Sequence, residues 1–322
     1  MKQLAKRFVL LLFLLYSIPL TVSAAETLIP VGQVVGLELH ENRLTIAAFD
    51  DRLGKNAKDA GLRAGDELLT MDGRAVHTPA DVREALNHTR GLVELTVLRD
   101  GHTLTFRVNP TITPDGPRLG LFLRQGVTGI GTVTWYDPDT GTFAALGHGV
   151  NRSDGSPVVM TDGLAYAARI QSVRPGRSGS PGQLMGAVTE EEAFGSLEKN
   201  APQGLFGHCD RGWLGEPIPV CDAEQIRIGE ATILSTVTGS SPRAYSVEIL
   251  KLYSDTREDG RNMLIRITDP TLLEITGGIV QGMSGSPIIQ DGKLVGAVTH
   301  VLVNDPTTGY GIFIENMLDA AA

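Results

Sequence analysis

Beyond Thr111 the chain never sustains one pattern for long. Short apolar runs, among them Gly129 to Trp135, Thr142 to Leu146, Ala231 to Thr236, Tyr245 to Leu252, Met263 to Ile267, Ile279-Val280 and Leu294 to Leu302, alternate with turns rich in Gly, Pro and Asp. Runs this short do not make long amphipathic helices; they suit strands bounded by tight turns. The 38 glycines and an aromatic content of only 5% fit a β-rich architecture with many turns. The expectation for residues 111–322 is an all-β domain, arranged as two barrels.

Residues 30–110 read differently, as a small α/β unit. Gly61-Leu-Arg-Ala-Gly65-Asp66 leads through a short apolar strand to the turn Asp72-Gly73. Thr78-Pro79-Ala80-Asp81 then opens a helix: Thr78 is a good N-cap, Pro79 suits the first turn, and Asp81 lies where it favours the helix dipole. Asp100-Gly101 is a two-residue hairpin turn before the alternating strand Leu104, Phe106, Val108. The run Ala60 to Leu69, with Asp72-Gly73 and the capped helix, resembles a bacterial PDZ domain. That resemblance implies that Val35, Gly36 and Leu37 belong to a carboxylate-binding loop. Strand Leu37 to Leu39 and helix Ala80 to Asn87 would line a groove that adds a peptide as an extra strand. A plain turn at Gly36 with an empty groove is the alternative.

At the N-terminus, Lys2, Lys6 and Arg7 precede an uncharged run from Phe8 to Ala25 that closes on Ser23, Ala24 and Ala25. The run is near the lower limit for a membrane span of ~20 residues. Residues 1–25 therefore read as a signal peptide or a membrane anchor, with both open, and the chain as exported. In an exported chain Cys209 and Cys221 can form one disulfide or stay two unrelated thiols. His208 and Cys209 offer too few ligands for zinc, so no metal is expected. The net charge of −9 excludes a general nucleic-acid binder, which needs a basic surface.

The chemistry concentrates on a few residues. Ser284 lies in Gly282-Met283-Ser284-Gly285-Ser286-Pro287, where glycines allow a tight turn that projects a hydroxyl. The N–H groups of Gly282 and Ser284 are placed to share one oxyanion pocket. His148, in Leu146-Gly147-His148-Gly149, is flanked by glycines and poorly suited to core packing; His300 is its competitor as base. Asp269 follows strand Leu264 to Thr268 and precedes Pro270, so it is held firmly, as an orienting carboxylate must be. Asp222, Asp255 and Asp259 are its rivals. Ser178 sits in a similar Gly-Arg-Ser-Gly-Ser-Pro turn but follows His148 too closely to close a barrel between them. It reads as a turn residue.

The order His148, Asp269, Ser284 is that of chymotrypsin-like serine proteases. Along its whole length the chain resembles the sporulation stage IV protein B peptidase family, most specifically in Ala145 to Gly149, Ile267 to Asp269, Thr276 to Pro287, and Thr299 to Gly311. The resemblance implies a PDZ domain followed by a chymotrypsin-like double β-barrel, with the family's catalytic residues falling on His148, Asp269 and Ser284 and no cofactor. It implies an endopeptidase released into the space between forespore and mother-cell membranes. Such an enzyme cuts its own N-terminal portion and then a membrane-protein regulator of an intramembrane protease. The short N-terminal region and a segment around His208 to Cys221 depart from that pattern. An envelope quality-control protease of the HtrA type and an inactive PDZ adaptor are the competing readings.

Overall fold

The structure is a computed structural model that describes residues 26–152, 155–254 and 260–322. The N-terminal apolar run and the rival carboxylates Asp255 and Asp259 lie outside the described residues. After a short strand at Thr27–Pro30, the chain enters through a long strand, β1 (Val34–Phe49). It continues through α1 (Lys55–Asp59), β2 (Glu67–Met71), α2 (Pro79–His88) and the hairpin β3 (Val93–Arg99) and β4 (His102–Val108). A second long strand, β5 (Leu121–Tyr136), runs back beside β1. Then follow β6 (Thr142–Ala145), β7 (Met160–Arg174), β8 (Gln183–Val188), β9 (Gly195–Ala201) and β10 (Gly204–His208). The C-terminal part comprises β11 (Gly229–Ser235), β12 (Arg243–Leu252), β13 (Met263–Ile267), α3 (Pro270–Thr276), β14 (Pro287–Gln290), β15 (Lys293–Leu302), β16 (Asp305–Phe313) and α4 (Ile314–Ala321).

Pairing closes two rings. In the first, β1 pairs β5, β5 pairs β6, β6 pairs β10, β10 pairs β9, β9 pairs β7, and β7 returns to β1. The second runs β11, β12, β13, β16, β15, β14 and back to β11. Closure gives every strand of each ring a neighbour on both sides, although residues 127–131 of β5 pair with β1 alone among the described residues. Each barrel has its own apolar core, around Leu37, Val133, Phe143 and Leu205 in the first and Ile233, Ile265, Met283 and Val298 in the second.

The PDZ-like unit hangs on the first barrel through the outer halves of β1 and β5. Residues 34–39 of β1 and 127–136 of β5 build the barrel, whereas Leu44 to Phe49 and Leu121 to Gln125 carry the same pairing into the PDZ-like sheet. Between them β1 bulges at residues 40–43 while β5 continues. The helix α2 starts as its sequence requires: Thr78 Oγ1 accepts from Asp81 N at 3.1 Å, and Asp81 accepts from Thr78 N at 2.9 Å. Asp66 of the Gly-Asp motif is a structural anchor. Buried, it takes two hydrogen bonds from Arg99, at 2.6 and 2.7 Å, and one from Arg63 N.

One expectation needs correction, and one open choice between two readings closes. Val35, Gly36 and Leu37 form no loop: they sit mid-strand in β1, paired with β5 on one side and β7 on the other. With both edges taken, no peptide can add there. Cys209 and Cys221 are free thiols, one buried in the core of the first barrel and the other in that of the second. Each packs as a small apolar side chain.

Candidate active site

The site forms where the barrels meet. At the end of β6, Leu146 (φ 72°) and Gly147 (φ 67°) turn the chain sharply out of the first barrel and present His148. Positive φ at a leucine is strained and persists only where packing enforces it. His148 Nδ1 lies 2.9 Å from the carbonyl oxygen of its neighbour Gly149. A carbonyl only accepts, so Nδ1 carries the proton and Nε2 keeps its lone pair. Burial lowers the His148 pKa from the ordinary 6.5, opposed in part by that hydrogen bond. The imidazole is thus neutral at neutral pH, the state a general base needs. Its ring lies 5.0 Å from that of His300.

The second barrel supplies Ser284, on the turn before β14. Gly282 (φ 100°) and Gly285 (φ 94°) both adopt left-handed conformations. At Gly285 a Cβ would also fall 2.0 Å from the Thr132 carbonyl oxygen, so only glycine fits. The neighbouring peptides are pinned. Gln281 O accepts from Leu184 N at 2.8 Å, which turns the Gly282 N–H the opposite way; Met283 O accepts from Ser286 N at 3.0 Å, which does the same for the Ser284 N–H. Among the described residues neither N–H has a hydrogen-bond acceptor. Two oriented, unengaged donors beside a serine are what a developing oxyanion requires.

One residue holds both halves together. Thr132 of β5 is fully buried. Its hydroxyl donates to Gly282 O at 2.7 Å, its N–H donates to Ser284 O at 3.1 Å, and its carbonyl accepts from Leu146 N at 3.1 Å. Thr132 therefore fixes the serine turn and the histidine turn with three hydrogen bonds. Sequence reasoning missed it, because a threonine inside an apolar strand looks like any other.

His148, Ser284 and Gly282 line one cavity of about 880 Å³, together with Gly129, Ile130 and His300. The structure does not bring Asp269 to them. Its carboxylate caps α3, accepting from Leu272 N at 3.0 Å and from Ser246 N at 3.4 Å. No carboxylate bears on the His148 pKa. The rigid setting at a strand end is real; it serves the helix. The Ser284 hydroxyl donates to Thr299 O at 2.7 Å and forms no hydrogen bond with His148. Ser286, also in the motif, is buried and bonded to Ser235. Ser178 lies in the exposed turn Arg177–Ser180 and bonds Asn304 O.

A second cavity, of about 410 Å³, lies on the PDZ-like unit. Its walls are Pro79, Val82, Arg83 and Leu86 of α2 on one side and Arg118 to Leu123 on the other. This groove takes the place of the one expected at Val35 to Leu37. Its sequence signal was available, in Leu119-Gly120-Leu121-Phe122 ahead of an alternating strand.

Two closed barrels with a serine, a histidine and free backbone donors at their junction define a serine peptidase of the double-β-barrel class. The chain belongs to the SpoIVB peptidase S55 family, whose model matches residues 116–318, and a PDZ-domain model matches residues 35–109. Among solved structures the chain is similar to the Rv3671c protease in an inactive form, with 17% identity over 60% of this chain and 84% of that one and a TM-score of 0.35. It is similar also to a serine-to-alanine mutant of Rv3671c from M. tuberculosis H37Rv, in an inactive form, with 16% identity over 59% and 78% and a TM-score of 0.35. No curated protein matches the chain.

Proposed function

We propose that this serine peptidase is an endopeptidase with Ser284 as nucleophile and His148 as base, serving signalling between forespore and mother cell. The observation that carries the chemistry is the pair of unengaged N–H groups, Gly282 and Ser284, beside a serine that shares a cleft with a neutral histidine. For attack, the Ser284 hydroxyl leaves Thr299 O and turns to Nε2 of His148, which takes the proton. The attacked carbonyl oxygen becomes an oxyanion held by the two N–H groups, and His148 returns the proton to the leaving amine. The Gly149 carbonyl orients the imidazole in place of a carboxylate.

Family membership supports the biological part of the reading. The enzyme is exported, cuts its own N-terminal portion, and then cuts a membrane-protein partner that regulates an intramembrane protease. The groove between α2 and Arg118 to Leu123 supports extended-peptide recognition.

A fluorophosphonate probe tests the nucleophile. It should label the wild-type protein and not Ser284→Ala, and Ser284→Ala should lose on the order of 10⁴–10⁶ in peptide cleavage while staying folded. Equal labelling of both proteins would remove the assignment. The hydroxyl's present bond to Thr299 favours one rival, an inactive peptide-binding adaptor, which predicts labelling of neither.

A further inference from the structure

The strand β5 connects the two cavities. Its first residues, Leu121 to Leu123, wall the groove on the PDZ-like unit, and its middle residues, Val127 to Ile130, wall the active-site cleft. Next comes Thr132, which holds the Ser284 turn. Along positions 121–131, β5 pairs with β1 on one edge only among the described residues. The other edge leaves a row of backbone N–H and C=O groups open to an added strand. Phe122, Arg124, Thr128 and Gly129 are exposed along this stretch.

The ends of the row differ chemically. At the groove end Arg83 and Arg118 line the cavity with one acidic residue, Asp50, whose carboxylate already accepts from Arg52 N and Leu53 N, which leaves a net positive end in a chain of net charge −9. Gly120 (φ 65°) turns the backbone there, packed so closely on Gly54 that a Cβ would lie 2.3 Å from its nitrogen. A carboxylate is the ligand group that such an end favours. A peptide anchored by its C-terminal carboxylate at this end then runs antiparallel to β5, its upstream residues passing Arg124 and Thr128 toward Ser284. At ~3.4 Å per residue, the edge from Gly120 to Gly131 spans about 37 Å, which is about eleven residues of ligand.

We infer that the free edge of β5 is a single track for the C-terminal tail of a protein substrate, anchored at Arg118 and cut about eleven residues upstream of its end. The track rests on the proposed nucleophile Ser284, and the test separates the two. The probe is a pool of random 30-residue peptides, made once as C-terminal acids and once as C-terminal amides. Each pool is incubated with the purified chain and its products are mapped by mass spectrometry. The acids should be cut about ten to twelve residues from their ends, and the amides more slowly, by about tenfold, without a preferred distance. The changes Arg118→Glu and Phe122→Asp should abolish the preferred distance for the acids and bring their cutting down to the rate of the amides in the wild-type protein. Cuts that ignore the distance to the C-terminus, or equal cutting of acids and amides, overturn the track. So does a chain that labels and cuts no peptide. A chain that neither labels nor cuts removes the catalytic reading, and the track with it.

Discussion

Asp269 is where the fate of one side chain decides the mechanism. As a cap it needs only a side-chain oxygen that accepts from Leu272 N, and asparagine caps as well as aspartate. Asp269→Asn should therefore keep its fold and most of its turnover. A triad carboxylate behaves otherwise: its amide costs ~10⁴ in kcat, so such a loss in a folded Asp269→Asn would restore the triad. His148 makes a second prediction. A base must be neutral, and burial holds its pKa below 6.5. Activity should persist as pH falls past 6.5 and drop only through the lower value, read as the acidic limb of kcat/KM against pH. A limb at or above 6.5 would contradict the buried, carboxylate-free histidine. Ser284 and His148, which line one cleft, were legible as candidates because the glycines near them serve little else. Asp269 was misread because an aspartate before Pro270 has the same local sequence whether it orients a histidine or caps a helix.

Among the elements, α2 is the one most completely written in its own residues. Thr78, Pro79 and Asp81 name its start, and the reciprocal Thr78–Asp81 bonds follow. Thr78→Ala should lower the stability of the PDZ-like unit by about 1 kcal/mol, seen as a shifted urea midpoint with an unchanged slope. Thr78→Asn, which restores an acceptor, should recover most of it. The hairpin of β3 and β4 is equally local, since Asp100 (φ 50°) and Gly101 (φ 76°) make the left-handed pair its turn requires. The strands β1 and β5 are the opposite case. Their partners lie far along the chain, β7 among them, and residues 34–37 carry no mark of being paired on both edges. The peptide groove was therefore sought on the wrong strand.

At the scale of the molecule, the described N-terminus bears on self-processing. Thr27 to Pro30 is a strand paired with Ile218–Pro219 and with Trp135 and Tyr136, and its Leu28 is buried. Cutting within it would require peeling it off the first barrel. The proposed self-cut should therefore leave a mature form beginning at or before Thr27, and should be made by one molecule on another. N-terminal sequencing should show this for wild type, with Ser284→Ala remaining full length until active enzyme is added, at a rate that rises with enzyme concentration. Normal trimming of Ser284→Ala on its own would assign the cut to a signal peptidase.

The way the PDZ-like unit joins the barrel has a consequence of its own. It leaves β1 after Leu39 and re-enters β5 at Val127, and these two residues are cross-strand neighbours. Their Cα atoms are no farther apart than the two sides of a hairpin, ~5 Å. Apart from His40 and Glu41, which still pair with Asp162 and Met160 of β7, the barrel therefore experiences everything between them as a swollen turn. An inserted domain whose ends meet at adjacent points puts no stretch on its host, so it can be exchanged as a cassette. Replacing residues 42–126 by a short Asn-Gly linker, which keeps His40 and Glu41 on β7, should leave a two-barrel peptidase that folds and labels with a fluorophosphonate. In such an architecture a lineage can change what the enzyme recognises by swapping one loop's cargo, without redrawing the machinery that cuts.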